Sequence, residues 1–419
     1  MTRNQTIPAI LPTTFESMVA PWLMGIARRD IVAVVSYPAS DRQRRVLQLL
    51  ADNKIQRKYG ATPNRYIWIG VDFRVDPIDD VADLEKHLRR KLADQTGMKI
   101  SEHEPTNEVI KRFEYRSKQK IILYCFGCEQ LLRNRAIPLL IWFTVQCRVD
   151  SLRMLLFFET NLFDPDTLSL FGSVPAFQPR IVELPLYGAA DTKQFITHMM
   201  QSIWHFTIAP GMTNRIISQC GGMFLLVKEA LWYLRDHPKA TADAVFSHTE
   251  MQFNLAALWN GFDKKEQEVL EGVVKREELN DQSLLSSILY LEHLGFLTRE
   301  RTGWKITIPL LTHYVQKLLT HDHQLTLNGQ KQILLDSVPV DAHFSRAQHR
   351  ILVHLLLHTG QIIPRDAIAE LLWPHDTQTH YSDWAIDSAL SRLRTRLIQL
   401  GLSAHMLETK KGKGFIFSP

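Results

Sequence analysis

The chain has 419 residues, of which 45% are hydrophobic and 22% charged, and its formal net charge is +5. Domains commonly hold roughly 100–200 residues, so this length indicates a globular protein of two to four domains. The longest apolar stretch, Ala136 to Val145, is shorter than the ~20 residues of a membrane span, and Met1 to Ala9 lacks the apolar core of a signal peptide. We therefore expect a cytoplasmic protein without a membrane partner.

Short apolar segments alternate with helical stretches over residues 1–188. The predicted strands are Ile31 to Val35, Arg65 to Val71, Ile121 to Phe126, Met154 to Phe158 and Ile181 to Leu184. This alternation indicates a parallel sheet with helices on its faces. Residues 189–245, which follow, are predicted to be helical.

The turn after the first predicted strand has the position of a phosphate-binding loop but not its residues. Such loops carry glycines and a lysine. The segment Ser36 to Asp41 contains neither, and the carboxylate of Asp41 would repel a phosphate. Arg42, Arg44 and Arg45 follow at the helix start, where they could attract an anion, but the pattern favours a solvent-exposed helix face for them.

The third predicted strand leads into Cys125-Phe126-Gly127-Cys128, a single C-x-x-C pair. The sequence has no second pair at zinc-ribbon spacing, and four cysteines in so long a chain do not indicate a disulfide framework. Because the pair follows an apolar strand, two small buried thiols explain it better than a metal or redox site. We expect neither a bound metal nor a cofactor.

Residues 250–320 have the order helix, turn, helix and β-hairpin, which predicts a winged helix. Asp263 caps an amphipathic run, the next helix ends at Gly295, and the hairpin turns near Gly303. The third helix has no arginine or lysine between residues 282 and 295. It has little to offer a phosphate backbone, so we expect a structural spacer or a protein-binding surface.

Residues 324–419 repeat this order after a strand-rich beginning, and their third helix is amphipathic. Its apolar stripe must face a core and consists of Ile386, Leu390, Leu393, Leu397 and Leu400. The opposite face carries Trp384, Ser388, Ser391, Arg392, Thr395 and Gln399, with Arg394 and Arg396 on its flanks. Cations and short hydrogen-bonding side chains suit the major groove of DNA. The hairpin that follows carries Lys410, Lys411 and Lys413, which could reach the neighbouring groove or backbone.

Three motifs of this last segment carry a family resemblance: "GQIIPRDAIAELLW" (Gly360 to Trp373), "IDSALSRLRTRL" (Ile386 to Leu397) and "TKKGKGF" (Thr409 to Phe415). They resemble the turn and second helix, the recognition helix and the wing of the winged-helix DNA-binding domain of OmpR/PhoB-type bacterial response regulators. The resemblance implies that Arg392 and Arg394 contact DNA and that Lys411 replaces a wing arginine. The sequence departs from the family at Trp384, where a cation or polar residue is common.

The first 245 residues resemble, in their layout, the P-loop NTPase core of the STAND and AAA+ groups, in which a sheet, a helical lid and a winged helix follow one another. The motifs of those groups are not retained. Phe126 and Gly127 take the places of the Walker B acids, and Phe224 replaces the proline of the lid motif in "CGGMFLL". Without an acid, Mg²⁺ has no anchor. The resemblance thus implies a degenerate nucleotide site, formed by Ser36, Asp41, Arg42, Gln43, Phe126 and Gly127, and no catalysis.

The expected fold is an α/β parallel-sheet NTPase-like core (residues 1–188) with a helical lid (189–245), followed by two winged-helix domains (250–320 and 324–419). The leading hypothesis is a nucleoid-associated, sequence-specific transcription regulator that binds double-stranded DNA. Its first domain would act as a non-catalytic sensor or assembly module, forming a homo-oligomer and receiving a protein or small-molecule signal. Two alternatives stay open: an NTPase with an atypical phosphate loop, and a DNA-binding protein of replication, mobile elements or defence.

Overall fold

A computed structural model describes residues 8–76, 78–101, 103–133, 136–148, 152–174, 176–301, 303–320, 325–335, 338–373, 383–400, 402, 406–410 and 413–418. The chain divides into two compact units, Met1–Ala242 with Glu268–Pro309 and Asp243–Gln267 with Leu310–Pro419. Within the described ranges, no helix combines the length and the apolar character that crossing a membrane requires.

A five-stranded parallel sheet forms the centre of the first unit. Its strands are β1 (Ile31–Ser36), β2 (Tyr66–Asp72), β3 (Lys120–Phe126), β4 (Leu152–Phe158) and β5 (Arg180–Leu184), in the order β2-β3-β4-β1-β5. β1 and β4 are buried along their whole length, as expected of central strands in a sheet covered on both faces. The five predicted strands are confirmed. Open α/β sheets bind ligands at the carboxyl ends of their strands, and the loop after β1 lies at that edge.

Eight helices of the described chain precede or connect these strands: α1 (Pro12–Arg28), α2 (Arg42–Ala51), α3 (Asn53–Lys58), α4 (Val81–Thr96), α5 (Thr106–Ser117), α6 (Glu129–Arg133), α7 (Ala136–Arg148) and α8 (Pro165–Gly172). α1 packs on β1 and β4, where the Trp22 and Phe157 rings meet edge to face with 5.4 Å between their centroids. Packing of this kind anchors α1 to the sheet.

The predicted helical segment consists of α9 (Ala189–His198), a π-helical turn (Met199–Trp204), α10 (Pro210–Cys220) and α11 (Phe224–Asp236). The chain between α10 and α11 passes tightly over Tyr187. Gly222 has a φ of +85°, and a Cβ at this position would lie 1.8 Å from the carbonyl oxygen of Tyr187. Only glycine fits there, which explains part of the "CGGMFLL" motif.

The next segment contains α12 (Ala242–Ser247), α13 (Thr249–Gly261), α14 (Lys264–Lys275), α15 (Leu285–His293), β6 (Leu297–Glu300), β7 (Gly303–Ile306) and α16 (Pro309–Thr320). The expected aspartate cap is present, because the Glu266 amide donates to Asp263 Oδ1 at 2.8 Å and the Asp263 amide donates to Glu266 Oε2 at 2.9 Å. β6 and β7 form the predicted hairpin. The elements of residues 250–320 are shared between the two units, and a separate domain with these limits stays a prediction.

The C-terminal segment begins with the antiparallel strands β8 (Leu325–Leu327), β9 (Ile333–Leu335) and β10 (Val338–Pro339). It continues with α17 (Arg346–Leu357), β11 (Ile362–Ile363), α18 (Arg365–Leu372), α19 (Asp383–Gln399), β12 (Leu407–Lys410) and β13 (Gly414–Phe417). The last three strands form one sheet in the order β11-β13-β12. This arrangement of three helices and a terminal hairpin is the predicted winged helix.

Candidate functional sites

The orientation of α19 is set by its apolar stripe. All five predicted core residues are buried in the hydrophobic core of the C-terminal segment, with exposed fractions of 0–9%. The opposite face is open, because Trp384, Ser391, Arg392 and Thr395 are exposed and Ser388 is half-buried. The sequence therefore predicted correctly which side of this helix is available to a partner.

Arg392 lies in the middle of the open face of α19. Its Nε donates to the carbonyl oxygen of Ser388 at 3.2 Å, and Gln348 Nε2 donates to the Arg392 carbonyl at 3.3 Å. Gln348 belongs to a capping box with Ser345 at the start of α17, so the contact ties α17 to α19. The two terminal nitrogens of Arg392 make no hydrogen bond within the described part of the chain, which leaves them available to an external acceptor.

Arg394 has a different environment, although it is only two residues away. Its Nε donates to the Leu407 carbonyl and its Nη2 to Thr409 Oγ1, both at 2.8 Å, so the side chain joins α19 to β12. Burial lowers the pKa of this guanidinium, and Asp387 partly opposes that effect. Arg396 is also half-buried and donates to Gln399 Oε1 at 2.9 Å.

The hairpin of β12 and β13 extends from the end of the domain and carries exposed Lys410 and Lys413. The Lys413 amide donates to the Lys410 carbonyl at 2.9 Å, and Lys410 Nζ lies 2.5 Å from Glu408 Oε2. Gly414 has a φ of +133°, and a Cβ there would lie 2.1 Å from the Ile363 carbonyl oxygen. A glycine is therefore required where β13 begins to pair with β11. Lys411 lies outside the described residues.

One ion pair at this site was not foreseen from the sequence. Arg365 Nη2 donates to Asp387 Oδ1 at 2.8 Å and thereby links α18 to α19. The Arg365 guanidinium also lies over the Phe415 ring, 5.2 Å from its centroid. Arg365 thus connects α18, α19 and the hairpin of β12 and β13.

In the first unit, the arginines at the start of α2 form ion pairs with Asp41 of the loop after β1 and with Glu159, which follows β4. Arg42 and Arg45 are each only 2% exposed. Arg42 donates to Glu159 and, at 3.0 Å, to Ser40 Oγ, whereas Arg45 pairs with Asp41. The expectation of a solvent-exposed face is wrong for these two arginines, because each is buried in an ion pair with a half-buried carboxylate. It holds for Arg44, which is exposed.

Asp41 accepts two further strong hydrogen bonds that fix the start of α2. Arg45 Nε donates to it at 2.9 Å, and the Tyr187 hydroxyl donates at 2.6 Å. Burial disfavours the charge on Arg45, but the nearby Asp41 outweighs this effect and raises the pKa of the guanidinium. Burial also raises the pKa of the Tyr187 hydroxyl, which keeps it a donor.

The network extends along the carboxyl edge of the sheet to β2. Gln43 Nε2 donates to Asp72 Oδ2 at 3.0 Å, and Arg74 donates to both carboxylate oxygens of Asp72 at 2.8–2.9 Å. Burial opposes the charge of Asp72, yet the hydrogen bonds from Arg74 hold its pKa below the ordinary value. Arg74 Nη1 also lies 4.0 Å from Glu159 Oε2, so Glu159 has one arginine on each side.

The three other predicted positions, Ser36, Phe126 and Gly127, make contacts with nonpolar groups, with Arg74 and with the backbone. The Phe126 ring packs on Phe157 with 4.8 Å between centroids, and Gly127 adopts a φ of +70° beside Arg74. Ser36 is fully buried, and its hydroxyl donates to the Phe158 carbonyl at 3.3 Å. None of these three residues presents a carboxylate.

The lid phenylalanine is part of an aromatic stack. Phe224 lies between Tyr187 and Phe195, with 4.0 Å between neighbouring centroids on each side.

Burial raises the pKa of Cys125 and of Cys128, which keeps both as thiols. In the described ranges, no group of three histidine, cysteine or acidic residues is arranged to hold a metal ion.

Four residues of the strand-end network were missed: Asp72, Arg74, Glu159 and Tyr187. A signal for two of them exists, since Asp72 and Glu159 directly follow the apolar residues of the predicted strands. Parallel strands bring such positions together at one edge of the sheet. The partners of Arg42 and Asp41 were not predictable, because they are 117 and 146 residues away in sequence.

Comparisons with known proteins find one set of matches for the C-terminal segment and another for the ATPase-like fold. The family model described as "Transcriptional regulatory protein, C terminal" matches residues 340–417. The transcriptional regulatory protein RstA of Escherichia coli (strain K12) is 33% identical over 75 residues, or 18% of this chain and 30% of that protein. This chain thus spans about 30% of the curated relative's length. The C-terminal DNA-binding domain of the Klebsiella pneumoniae RstA protein is 31% identical and covers 24% of this chain and 91% of its own, with a TM-score of 0.19.

A Walker-type ATPase of Pyrococcus abyssi has a TM-score of 0.52 at 10% identity, and the match covers 75% of this chain and 99% of that one. At this identity the likeness shows the fold alone. The chain therefore combines an ATPase-like fold with the C-terminal domain of transcriptional regulatory proteins, as the sequence predicted.

Proposed function

We propose that the protein is a sequence-specific DNA-binding transcription regulator and that residues 324–419 contact the DNA. The observation that carries the proposal is Arg392. Its terminal nitrogens are open on the exposed face of a helix whose other side is fixed in the core. An arginine in this setting can donate two parallel hydrogen bonds to a guanine or grip a phosphate. The family match to residues 340–417 supports the same function.

The other polar residues have distinct roles in this proposal. Ser388, Ser391 and Thr395 offer short hydroxyl groups beside Arg392, where bases or phosphates are within reach. Lys410, Lys411 and Lys413 contribute phosphate contacts from the hairpin. Arg394 and Arg396 flank the helix, and Arg394 acts mainly by holding β12 against α19.

Mapping of bound genomic sites in living cells tests this function. We expect the wild-type protein to accumulate at promoters and the Arg392→Ala variant to lose these sites. Arg299→Ala is the matched control, since Arg299 lies on the hairpin of the middle segment and stacks near Trp304 at 5.8 Å. Sites that lie at replication origins or mobile-element ends would support the alternative assignment instead.

We further infer that the ATPase-like unit does not hydrolyse nucleotides. The loop after β1 lacks glycine and lysine, its arginines are neutralised by Asp41 and Glu159, and Phe126 and Gly127 carry no acid. Mg²⁺ and an attacking water would have no ligand at the usual positions. A phosphate-release assay tests the inference. Turnover that rises with Mg²⁺ and disappears in both Arg42→Ala and Glu159→Gln would establish the NTPase alternative.

The proposal includes self-association through the first unit and a protein or small-molecule signal received there. A winged helix gains specificity when a neighbour occupies an adjacent half-site. Sedimentation of the protein with and without DNA tests the association. We expect assemblies larger than one chain, and a 48.4 kDa species alone under both conditions would contradict it.

A further inference from the structure

The most exposed tryptophan of the described residues is in the first turn of α19. Trp384 is 78% exposed, whereas the apolar stripe of the same helix is buried. A tryptophan exposed to this extent gains nothing from the domain core, and its indole is one of the largest apolar surfaces that a side chain can offer. Its position on the helix is therefore informative.

Trp384 shares the open face of α19 with Ser388 and Arg392. The three residues are separated by four positions each, so they lie on one side of the helix and follow one another along its axis. From Trp384 to Arg392 the axis rises by ~12 Å. A helix lying in a groove would thus place the indole about three to four base pairs from the contact of Arg392.

A cleft of about 200 Å³ lies beside Trp384, and both polar and apolar residues line it. Its walls include Trp373, Trp384, Ala389 and Arg392. Trp373 is less exposed, at 37%, and belongs to the end of α18. The exposed indole of Trp384 consequently lies next to a cation that shares the same cleft.

The major groove has one prominent apolar group, the C5-methyl of thymine, and apolar side chains recognise this group by contact. We propose that Trp384 is a specificity-determining residue that packs against a thymine methyl group, on the side of the site away from the wing. This proposal rests on the proposed DNA-binding function and extends it. It names one base preference and the residue that produces it.

The test uses the full chain and a duplex selected by the wild-type protein from a random DNA pool. Each thymine of the selected site is replaced in turn by deoxyuridine, which removes only the methyl group. Affinities are measured for the wild type, for Trp384→Ala and for Trp232→Ala as the matched control, because Trp232 is a 44% exposed tryptophan of α11 in the first unit. Trp384→Gln provides a second variant of polar character, and helicity and affinity for random DNA report whether each variant is folded.

We expect one thymine, or one symmetry-related pair, at which deoxyuridine weakens wild-type binding about four-fold, the value of one buried methyl group. The same replacement should have no effect on Trp384→Ala or Trp384→Gln, while Trp232→Ala should keep the four-fold response. The salt dependence of binding should be unchanged, because the indole carries no charge.

Three results would overturn the proposal. Equal methyl sensitivity in wild type and both Trp384 variants would assign the contact to another residue. Undiminished affinity of the variants would indicate that the indole serves a protein partner. A wild type insensitive to every deoxyuridine would exclude methyl recognition. By contrast, failure of the wild type to select any sequence would contradict the DNA-binding function itself.

Discussion

The chain contains two segments with the same order of helix, helix and hairpin, and their third helices have very different surfaces. On α15 the exposed side chains are Leu285, Leu289 and His293, with exposed fractions of 51%, 40% and 49%. On α19 the exposed face carries Arg392 with hydroxyl-bearing residues around it. The same order of elements thus presents two chemically different surfaces. The charge on the third helix distinguishes the two segments.

The two hairpins are alike in their ion pairs but differ at their glycines. Both contain a lysine–glutamate pair, Lys305 with Glu300 at 3.0 Å in the middle segment and Lys410 with Glu408 at 2.5 Å in the C-terminal segment. Their glycines have nearly equal conformations, with φ of +134° at Gly303 and +133° at Gly414. Gly303 has open space around it, but Gly414 is in close contact with the Ile363 carbonyl. The C-terminal hairpin is thus held closely against β11 at Gly414, whereas the middle hairpin is not closely packed at Gly303.

The largest expected effect separates a buried leucine of α19 from an exposed leucine of α15. Leu393→Asp should lower the free energy of unfolding by more than about 4 kcal/mol, because it buries an unpaired charge at a fully buried position. Leu289→Asp on α15 should change it by less than about 1 kcal/mol, since that side chain is 40% exposed. Urea denaturation of the full chain measures both values. Equal losses would mean that α15 is also covered on this side.

A pair of glycine substitutions tests the difference between the hairpins. Gly303→Ala should cost about 1–3 kcal/mol, which is the strain of a positive φ alone. Gly414→Ala should cost more, because the new Cβ also meets the Ile363 oxygen at 2.1 Å. Thermal unfolding of the two variants gives the comparison. A Gly414→Ala protein no less stable than Gly303→Ala would contradict the close packing of β13 on β11.

Arg392→Ala should cost about 1–3 kcal/mol of binding free energy on a selected duplex and little on random DNA. The reason is that a bidentate contact to a base edge is lost while the phosphate contacts stay. Arg299→Ala in the middle hairpin should leave both affinities unchanged. Fluorescence anisotropy with the two duplexes measures these values, and an equal loss on both duplexes would identify Arg392 as a phosphate contact.

The smallest expected effect concerns the lysines of the hairpins. Lys413→Ala should reduce the slope of log affinity against log salt by ~0.9, because one phosphate contact and its released counterion are lost. Lys305→Ala should leave the slope unchanged, since Lys305 pairs with Glu300. DNA titrations at several salt concentrations measure this slope for each variant. A shallower slope for Lys305→Ala would show that the middle hairpin also contacts DNA.

The sequence was informative wherever local periodicity determines burial. The five strands and the apolar stripe of α19 follow from residue spacing alone, because these patterns fix which side faces a core. The roles of Arg42 and Arg394 did not follow from spacing, because Glu159 and Thr409 become their neighbours only through the tertiary fold. The pair of Arg45 with Asp41 has the i, i+4 spacing of one helical turn, so a sequence signal for it existed.

The same limitation explains the incorrect expectation for the arginines of α2. Helical spacing places Arg42 and Arg45 on the same side of α2 as Val46 and Leu49, but charged side chains normally indicate solvent. In the folded chain the carboxyl edge of the sheet supplies carboxylates at this position, so the arginines are buried as ion pairs. Sequence patterns identify apolar burial more reliably than burial that depends on charge pairing.

The central claim is that α19 and the hairpin of β12 and β13, and not α15 and its hairpin, contact DNA. Hydrogen–deuterium exchange of the full chain with and without a selected duplex tests it most directly. We predict slower exchange on DNA binding in residues 383–399 and 407–417 and no change in residues 285–293 and 297–306. Protection of residues 285–306, with 383–417 unaffected, would contradict the account.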